Sequence, residues 1–259
     1  MKNYTNVTEI PGQRATNDQL STMMTRYHLA KKYAKNKDVL EIACGSGTGL
    51  GYIGEVATSV VGGDIDESLV NIATANYSGD NKIHIQQLDA QHLPFADNSF
   101  DLVILFEALY YIPDVAQFIS ESRRVLRPNG KIIIATVNNE WHGFNPSPFS
   151  KKYYTAEELL AMYNQEFQSK LYLGFEDLPK GSNFLISFVR RSAVALGLIP
   201  KTMKGKELLK RFFYGKLTPI PNVIYDGLGK VEKLIPFDPN NELHKKNYKQ
   251  LYLIVDTEK

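Results

Sequence analysis

One stretch constrains this chain more than any other: Val39-Leu40-Glu41-Ile42-Ala43-Cys44-Gly45-Ser46-Gly47-Thr48-Gly49. An apolar strand runs through an acidic residue and into glycines spaced two apart. Glycine is needed where a backbone turns tightly or lets a ligand come close, because a side chain blocks both. The acid discriminates between ligands. A phosphate-cradling loop avoids a carboxylate at that place, since it would repel the anion. A carboxylate beside a glycine turn suits a ligand that carries an amine and a sulfonium. A glycine pattern can also be a bare tight turn, so the following segments have to decide.

Those segments alternate between strand and helix. Leu20 to Tyr33 has helical spacing, with Leu20, Met23, Met24, Tyr27 and Ala30 along it. Asp38 to Ile42 is a short apolar strand, and Gly49 to Glu55 opens a helix. Ser59 to Asp64 is a second strand ending in an acid, followed by a helix over Asp66 to Tyr77. Lys82 to Asp89 alternates as a third strand. Phe100 to Phe106 is continuously apolar, which fits a central strand buried on both faces. Val115 to Leu126 is a helix, Arg127-Pro128-Asn129-Gly130 a turn, and Lys131 to Val137 a fifth strand. This order predicts a parallel, doubly wound α/β sheet.

Past residue 140 the alternation stops. Trp141 to Ser150 is a loop rich in proline and aromatics. Thr155-Ala156-Glu157-Glu158 caps a helix that runs to about Gln165. Gln168 to Phe175 reads as a strand, Pro219-Ile220-Pro221 as an interruption, and Tyr248 to Val255 as a last strand. These are expected to be strands six and seven of one sheet, with an insertion between them.

In an open α/β sheet, ligands sit beyond the carboxyl ends of the strands at the switch point. Glu41 to Gly49, Asp64, Asp89-Ala90 and Phe106-Glu107 occupy four such ends. An acid at Asp64 can accept both hydroxyls of a ribose, or cap a helix. Asp89 can accept from an adenine amino group while the Ala90 amide donates to the ring, or it is a turn residue. An amine, a sulfonium, a ribose and an adenine together describe S-adenosylmethionine.

The segments at these ends resemble the class I S-adenosylmethionine-dependent methyltransferases over about residues 38–140. The resemblance rests on Val39 to Gly47, Val61-Gly62-Gly63-Asp64-Ile65-Asp66, and Leu88-Asp89-Ala90-Gln91-His92-Leu93-Pro94-Phe95. It continues through Ser99-Phe100-Asp101-Leu102-Val103 and Leu126-Arg127-Pro128-Asn129-Gly130-Lys131. It implies a Rossmann-like, seven-stranded, mostly parallel sheet with a helical cap or insertion in the C-terminal half. It implies that Glu41, Ala43, Gly45 and Gly47 hold the methionyl part. Asp64, with Ile65 beside it, would take the ribose, and Asp89 and Ala90 the adenine. Phe106 would lie near the cofactor with Glu107 beyond it. Arg26-Tyr27 looks like the element that closes over the cofactor, with Arg26 facing the methionyl carboxylate; the alternative is an exposed charge beside a core tyrosine.

The main departure from the family follows the fourth strand. Many relatives carry a histidine in the sequence matching Ala108-Leu109-Tyr110-Tyr111-Ile112, where this chain has tyrosines. No catalytic histidine is carried over from there. Tyr110 and Tyr111 are candidates for the acceptor pocket, Tyr111 also for a catalytic role. An oxygen nucleophile commonly needs a base or a metal. His142, just after the fifth strand, is the candidate base, with a plain loop residue as the alternative. No compact His/Asp/Glu group points to a metal.

The segment Asn145 to Thr155 resembles the post-strand loop of methyltransferases acting on sugars or surface polysaccharides, although Ser150 stands where several relatives have histidine. The expected reaction is therefore transfer of a methyl group, by in-line displacement, to an oxygen of a small acceptor. That acceptor is a sugar, a surface-polysaccharide precursor or a secondary metabolite. Two other readings remain open. One is a nicotinamide-dependent oxidoreductase, against which Leu50 breaks the Gly-x-Gly-x-x-Gly order. The other is a catalytically silent cofactor-binding scaffold.

Charge divides the chain unevenly. Residues 1–140 hold 12 Lys+Arg against 16 Asp+Glu, and residues 141–259 hold 18 against 12. The net charge is only +2, so no nucleic-acid partner is implied. Phe184 to Lys216 is strongly basic and interleaved with leucine and phenylalanine. It reads as a substrate lid, or as a surface that touches an anionic membrane or a lipid-linked acceptor. The domain plan is an arm and covering helix over 1–37, the cofactor core over 38–140, an acceptor-binding loop and basic cap over 141–230, and a final sheet-completing segment over 231–259. Cys44 is the single cysteine, so no intrachain disulfide forms. The N-terminus has no secretory pattern and no run approaches a membrane span. A cytoplasmic protein is expected, of undetermined oligomeric state.

Overall fold

A computed structural model describes residues 4, 5, 7–147, 149–163, 167–177 and 217–257. The elements in chain order are β1 (Arg14–Ala15), α1 (Asn17–Ala34), β2 (Asp38–Ile42), α2 (Leu50–Gly54), β3 (Ser59–Asp64) and α3 (Glu67–Asn76). Then come β4 (Ile83–Gln87), β5 (Phe100–Phe106), a 3-10 turn (Leu109–Tyr111), α4 (Val115–Arg124), β6 (Leu126–Val137) and α5 (Ala156–Ala161). The described chain closes with β7 (Gln168–Glu176), β8 (Thr218–Pro219), β9 (Ile235–Pro236), a helix here called α6 (Glu242–Asn247) and β10 (Tyr248–Asp256).

The main sheet has the order β4-β3-β2-β5-β6-β10-β7-β9. The first five of these strands are parallel, and β10 runs antiparallel between β6 and β7. The doubly wound, mostly parallel sheet is as expected, but among the described residues it has eight strands rather than seven. The extra one, β9, is two residues on the outer edge of β7. Its Pro236 lacks an N–H for a further ladder and sits where proline is tolerated, at an edge. Two residues with a proline give no alternation to detect. The expected turn at Arg127 to Gly130 is instead an irregular start to β6. The register shifts between Phe100 and Leu102, and Asn129 takes a left-handed φ of 63°.

Alternation along each strand divides the core into two layers. Val39, Ile104, Ile133, Tyr252 and Ile254 face α1 and α2 through Met23, Met24 and Ile53. Leu40, Val103, Ile132, Ile134, Leu251 and Leu253 face the other way, toward Phe118 of α4 and Leu159 of α5. Both faces of the central strands are thus covered, as their unbroken apolar runs require.

Helix α1 begins three residues before its expected start. Thr16 caps it reciprocally: Gln19 N donates to Thr16 Oγ1 (3.2 Å), and Thr16 N donates to Gln19 Oε1 (3.0 Å). The segment before it is tied down rather than loose. Arg14–Ala15 pairs with Thr218–Pro219, and Gly12 N donates to Ile220 O at 2.8 Å. The basic stretch Phe184 to Lys216, and with it most of the expected cap, lies outside the described residues.

Candidate active site

The strand ends converge on a cavity of about 730 Å³. Its first wall is the glycine loop after β2. Ala43, Gly45 and Gly47 all take left-handed backbone, with φ of 57°, 59° and 75°. At Gly45 a Cβ would also come within 2.8 Å of Thr8 Cγ2. The loop is pinned by the acid at the end of β3: Gly45 N donates to Asp64 Oδ2 and Asp66 N to Asp64 Oδ1, both at 2.9 Å. Asp64 is therefore a bracket between two turns, while the cap of α3 is Asp66, which accepts from Ser68 N at 3.0 Å.

Tyr27 of α1 lies against this loop. A Cβ on Gly49 would sit 1.9 Å from Tyr27 Cε1, so that position has to be glycine for the ring to seat. The seated ring packs edge-on to Phe106 (5.2 Å between centroids), and its hydroxyl donates to Glu41 Oε1 at 2.7 Å. Glu41 is 1% exposed, and its other oxygen, Oε2, is buried with no partner. Burial pushes the Glu41 carboxyl up to about 7, against the opposing pull of Tyr27 and Arg26. Arg26 ion-pairs with Glu9 from the N-terminal arm and has an unpartnered Nε. A buried carboxylate oxygen and guanidinium N–H left unpaired each carry a desolvation cost, about 1–3 kcal/mol or more. They suit a zwitterion that brings an ammonium to one and a carboxylate to the other.

Of the residues expected at the site, Arg26, Tyr27, Glu41, Ala43, Gly45, Asp64, Ile65, Asp89, Ala90, Phe106, Glu107 and Tyr111 line the cavity. Gly47 does not: it shapes the turn, and its carbonyl accepts from the Tyr77 hydroxyl at 2.7 Å. Asp89 braces its own turn, accepting from Gln91 N at 2.9 Å. Tyr111 shares a hydrogen bond with Ser147 Oγ at 2.9 Å. Cys44 is buried, which pushes its thiol well up and keeps it protonated, so it is no nucleophile.

His142 is the residue the structure does not bring in. It is absent from the cavity wall; its Nδ1 lies 3.1 Å from Lys246 O and its Nε2 3.7 Å from Asp177 Oδ2. The cause is Asn138 at the end of β6. Its Nδ2 donates to Lys245 O (2.7 Å) and Tyr248 O (2.8 Å), which draws the following loop toward α6. No group of three or more His, Cys, Asp or Glu able to hold a metal occurs among the described residues.

Sequence reasoning named Tyr110 and Tyr111 of the opposite wall, and an arm over the cofactor, but missed the other residues that build it. Tyr4, Thr8 and Glu9 reach over the cavity from the arm, where Ser46 Oγ donates to Glu9 O at 2.7 Å and Tyr4 N to Asp66 Oδ2 at 2.8 Å. Lys151, Phe175, Lys249 and Gln250 close it from the C-terminal half. Of the described residues between 141 and 230, only Lys151 and Phe175 take part. None of these carried a local signal; only folding brings them together.

Comparison with known proteins adds a sequence match to this geometry. Residues 40–134 match the family model described as a methyltransferase domain. A Mycolicibacterium smegmatis protein named as a probable S-adenosylmethionine-dependent methyltransferase is 36% identical over 129 residues, 50% of this chain and 49% of that one. The demethylmenaquinone methyltransferase of Clavibacter sepedonicus is 30% identical over 118 residues, 46% of this chain and 47% of its own length. The chain spans about half the length of the curated relatives it matches. A solved structure from Thermotoga maritima, titled as a SAM-dependent methyltransferase and possible histamine N-methyltransferase, superposes with a TM-score of 0.57 at 14% identity. It covers 92% of this chain and 90% of that one, and at that identity it shows the fold alone.

Proposed function

This chain belongs, by its residues 40–134, to the class I S-adenosylmethionine-dependent methyltransferases, and we propose on that premise that the whole protein methylates a small-molecule acceptor. The observation that carries the reading is the unpartnered Glu41 Oε2 in the cavity wall, beside a loop that seats Tyr27 and close to Arg26. Glu41 would hold the methionyl ammonium and Arg26 the carboxylate. Asp64, with Ile65 at its rim, would take the ribose hydroxyls through lone pairs its two backbone bonds leave open. Asp89 and the Ala90 amide would meet the adenine, and Phe106 the region between. The cofactor supplies a methyl group already activated on a sulfonium, so the protein's task is alignment and exclusion of water.

The proposed acceptor is an oxygen of a sugar, a surface-polysaccharide precursor or a secondary metabolite. The far wall supports that class. Tyr110 and Tyr111 offer ring faces and hydroxyls, and Lys151, Lys249 and Gln250 offer polar ends, a mixture suited to a polyhydroxylated ring. Tyr111 keeps a place there as an acceptor-orienting hydroxyl. No helix among the described residues is long and apolar enough to cross a membrane. The cytoplasmic placement, the lid or membrane-touching role of Phe184 to Lys216 and the acceptor-cap role of 141–230 rest on sequence alone. Calorimetry with S-adenosylmethionine and S-adenosylhomocysteine tests the first step, and absence of binding at millimolar ligand would sink it. Mass spectrometry of a native-extract reaction with isotopically labelled methyl donor then identifies the acceptor.

A further inference from the structure

Among the described residues six carboxylates line the cavity, and five have a structural or cofactor-binding task in the readings above. Glu9 pairs with Arg26, and Asp18 with Lys249 Nζ at 3.1 Å. Asp64 brackets the glycine loop, Asp89 braces its turn, and Glu41 takes the Tyr27 hydroxyl deep in the cofactor wall. Glu107 is the sixth. Among the described residues it pairs with no cation: Tyr110 OH donates to its Oε2 at 3.2 Å, and Gln250, with its amide oriented to satisfy both ends, donates to its Oε1 at 2.7 Å and to Thr136 O at 3.1 Å. Each oxygen keeps a lone pair for a further donor.

Its place in the fold is equally particular. Glu107 follows the last residue of β5, the strand between β2 and β6. Its backbone is left-handed, with φ 52°, held by donation of its N–H to Ala135 O at 2.8 Å. A glutamate in that region is strained, and a strained residue facing a cavity points to function. Phe106, the neighbour of Glu107 in the chain, packs on Tyr27 of the cofactor wall, while Tyr110 and Gln250 donate to the Glu107 carboxylate itself. Glu107 therefore stands where the two compartments meet. No histidine lines the cavity among the described residues.

We propose that Glu107 is the catalytic base of the methyl transfer, taking the proton of an acceptor hydroxyl at the junction of the two compartments. This rests on the methyltransferase reading above and deepens it. The acceptor O–H bond breaks toward the Glu107 carboxylate, and the oxygen lone pair forms the new O–CH3 bond. The C–S bond of the sulfonium donor breaks with its electron pair left on sulfur. The products are the methyl ether, S-adenosylhomocysteine and a protonated Glu107, which returns its proton to water. Burial raises the Glu107 carboxyl to about 7, opposed by Arg26 and by the hydrogen bonds from Tyr110 and Gln250, with Glu9 acting upward. Tyr111 and Tyr252 are the other titratable groups that sense it. A base poised near neutrality suits proton transfer.

The test uses sinefungin, which carries an ammonium where the transferable methyl would sit, against S-adenosylhomocysteine, which carries nothing there. Wild-type protein is expected to bind sinefungin at least about tenfold more tightly, a gap of one charge-assisted hydrogen bond. The gap should widen as pH rises through about 7 and Glu107 ionises. In Glu107→Gln it should collapse to within about threefold while S-adenosylhomocysteine affinity holds, and labelled-methyl incorporation in extract should fall by about 100-fold or more. A gap that survives in a Glu107→Gln protein binding S-adenosylhomocysteine normally overturns the assignment and leaves the methyltransferase reading intact. Should that variant not fold, a pH-independent gap in the wild type overturns it equally. Failure of the wild type to bind S-adenosylhomocysteine would instead remove the reading beneath it.

Discussion

The two walls of the cavity are built by opposite means. The cofactor wall is local: Asp64 holds Gly45 from 19 residues away, and Tyr27 reaches Glu41 from 14. Its backbone turns are forced into left-handed geometry and then locked by side chains from the adjoining strand and helix. The opposite wall is assembled from the whole length of the chain. Lys249 meets Asp18 from 231 residues away, and Gln250 meets Glu107, because β10 threads between β6 and β7. The contrast has a physical consequence. A locked local wall can be shared by proteins with different acceptors, whereas a wall of long-range side-chain contacts can change without disturbing it.

The sharpest way to break this comparison is to cut the local bracket. Asp64→Ala removes the acceptor of two backbone N–H groups along with the proposed ribose contact. Bonds to a charged acceptor contribute about 1.5–3 kcal/mol each, so cofactor affinity should fall by about 100-fold or more. Lys151→Ala, in the opposite wall, should leave cofactor affinity within about twofold. Calorimetry on both variants gives the contrast; equal losses would show that the walls are not separable.

A smaller effect is expected from Gly49→Ala, which tests how the bracket is packed rather than charged. The new Cβ displaces the Tyr27 ring and with it the hydrogen bond to Glu41. Overpacking of this kind costs about 1–3 kcal/mol. Thermal unfolding should show it, and Tyr27→Phe should reproduce the loss of cofactor affinity with less loss of stability. If the glycine variant unfolds like the wild type, Tyr27 has another way to seat.

The same contrast explains what could be read in advance. Glu41, Asp64, Asp89 and Phe106 were legible because short apolar runs between helical segments mark the strands, and ligands of open sheets sit at the strand ends. Thr8, Glu9 and Gln250 were not, because an arm without periodicity and a final strand give no sign of which element they will face. His142 was expected at the site from its closeness in sequence to the end of β6. The expectation failed on one side chain, Asn138, whose amide turns the loop toward α6. The two-residue β9 was too short to pattern, and the Asn129 irregularity in β6 looks like a turn from sequence alone.

The ionic asymmetry of the cavity yields a pH test of intermediate size. The Glu41 and Glu107 carboxyls are both raised to about 7 by burial, above the ordinary value near 4.5. The folded state then binds protons more tightly than the unfolded chain. Their stability contribution is present below about 4.5 and is lost as pH rises through about 7. The ligand-free protein should therefore melt lower at about pH 8 than at about pH 5.5, and Glu41→Gln should flatten part of that slope. S-adenosylmethionine, with its ammonium and sulfonium, should restore more stability at the higher pH. A melting temperature that rises steadily across this range in the ligand-free wild type would contradict the burial of these carboxylates.

The smallest effect is expected where sequence reasoning placed the base. His142 touches Lys246 O and approaches Asp177, and its ring meets Trp141 at 5.7 Å between centroids. These contacts join the loop after β6 to α6 and the end of β7, outside the cavity wall. His142→Ala removes a surface tether, so a loss of at most about 1 kcal/mol of stability follows. Cofactor affinity should not change, and labelled-methyl incorporation in extract should stay within about threefold of wild type. General-base loss typically costs about 100-fold or more, so the two roles are separated by well over an order of magnitude in one assay. If His142→Ala abolished incorporation while binding S-adenosylhomocysteine normally, the loop would have to swing into the cavity during turnover. The opposite wall would then be a moving part, and the local wall the only fixed one.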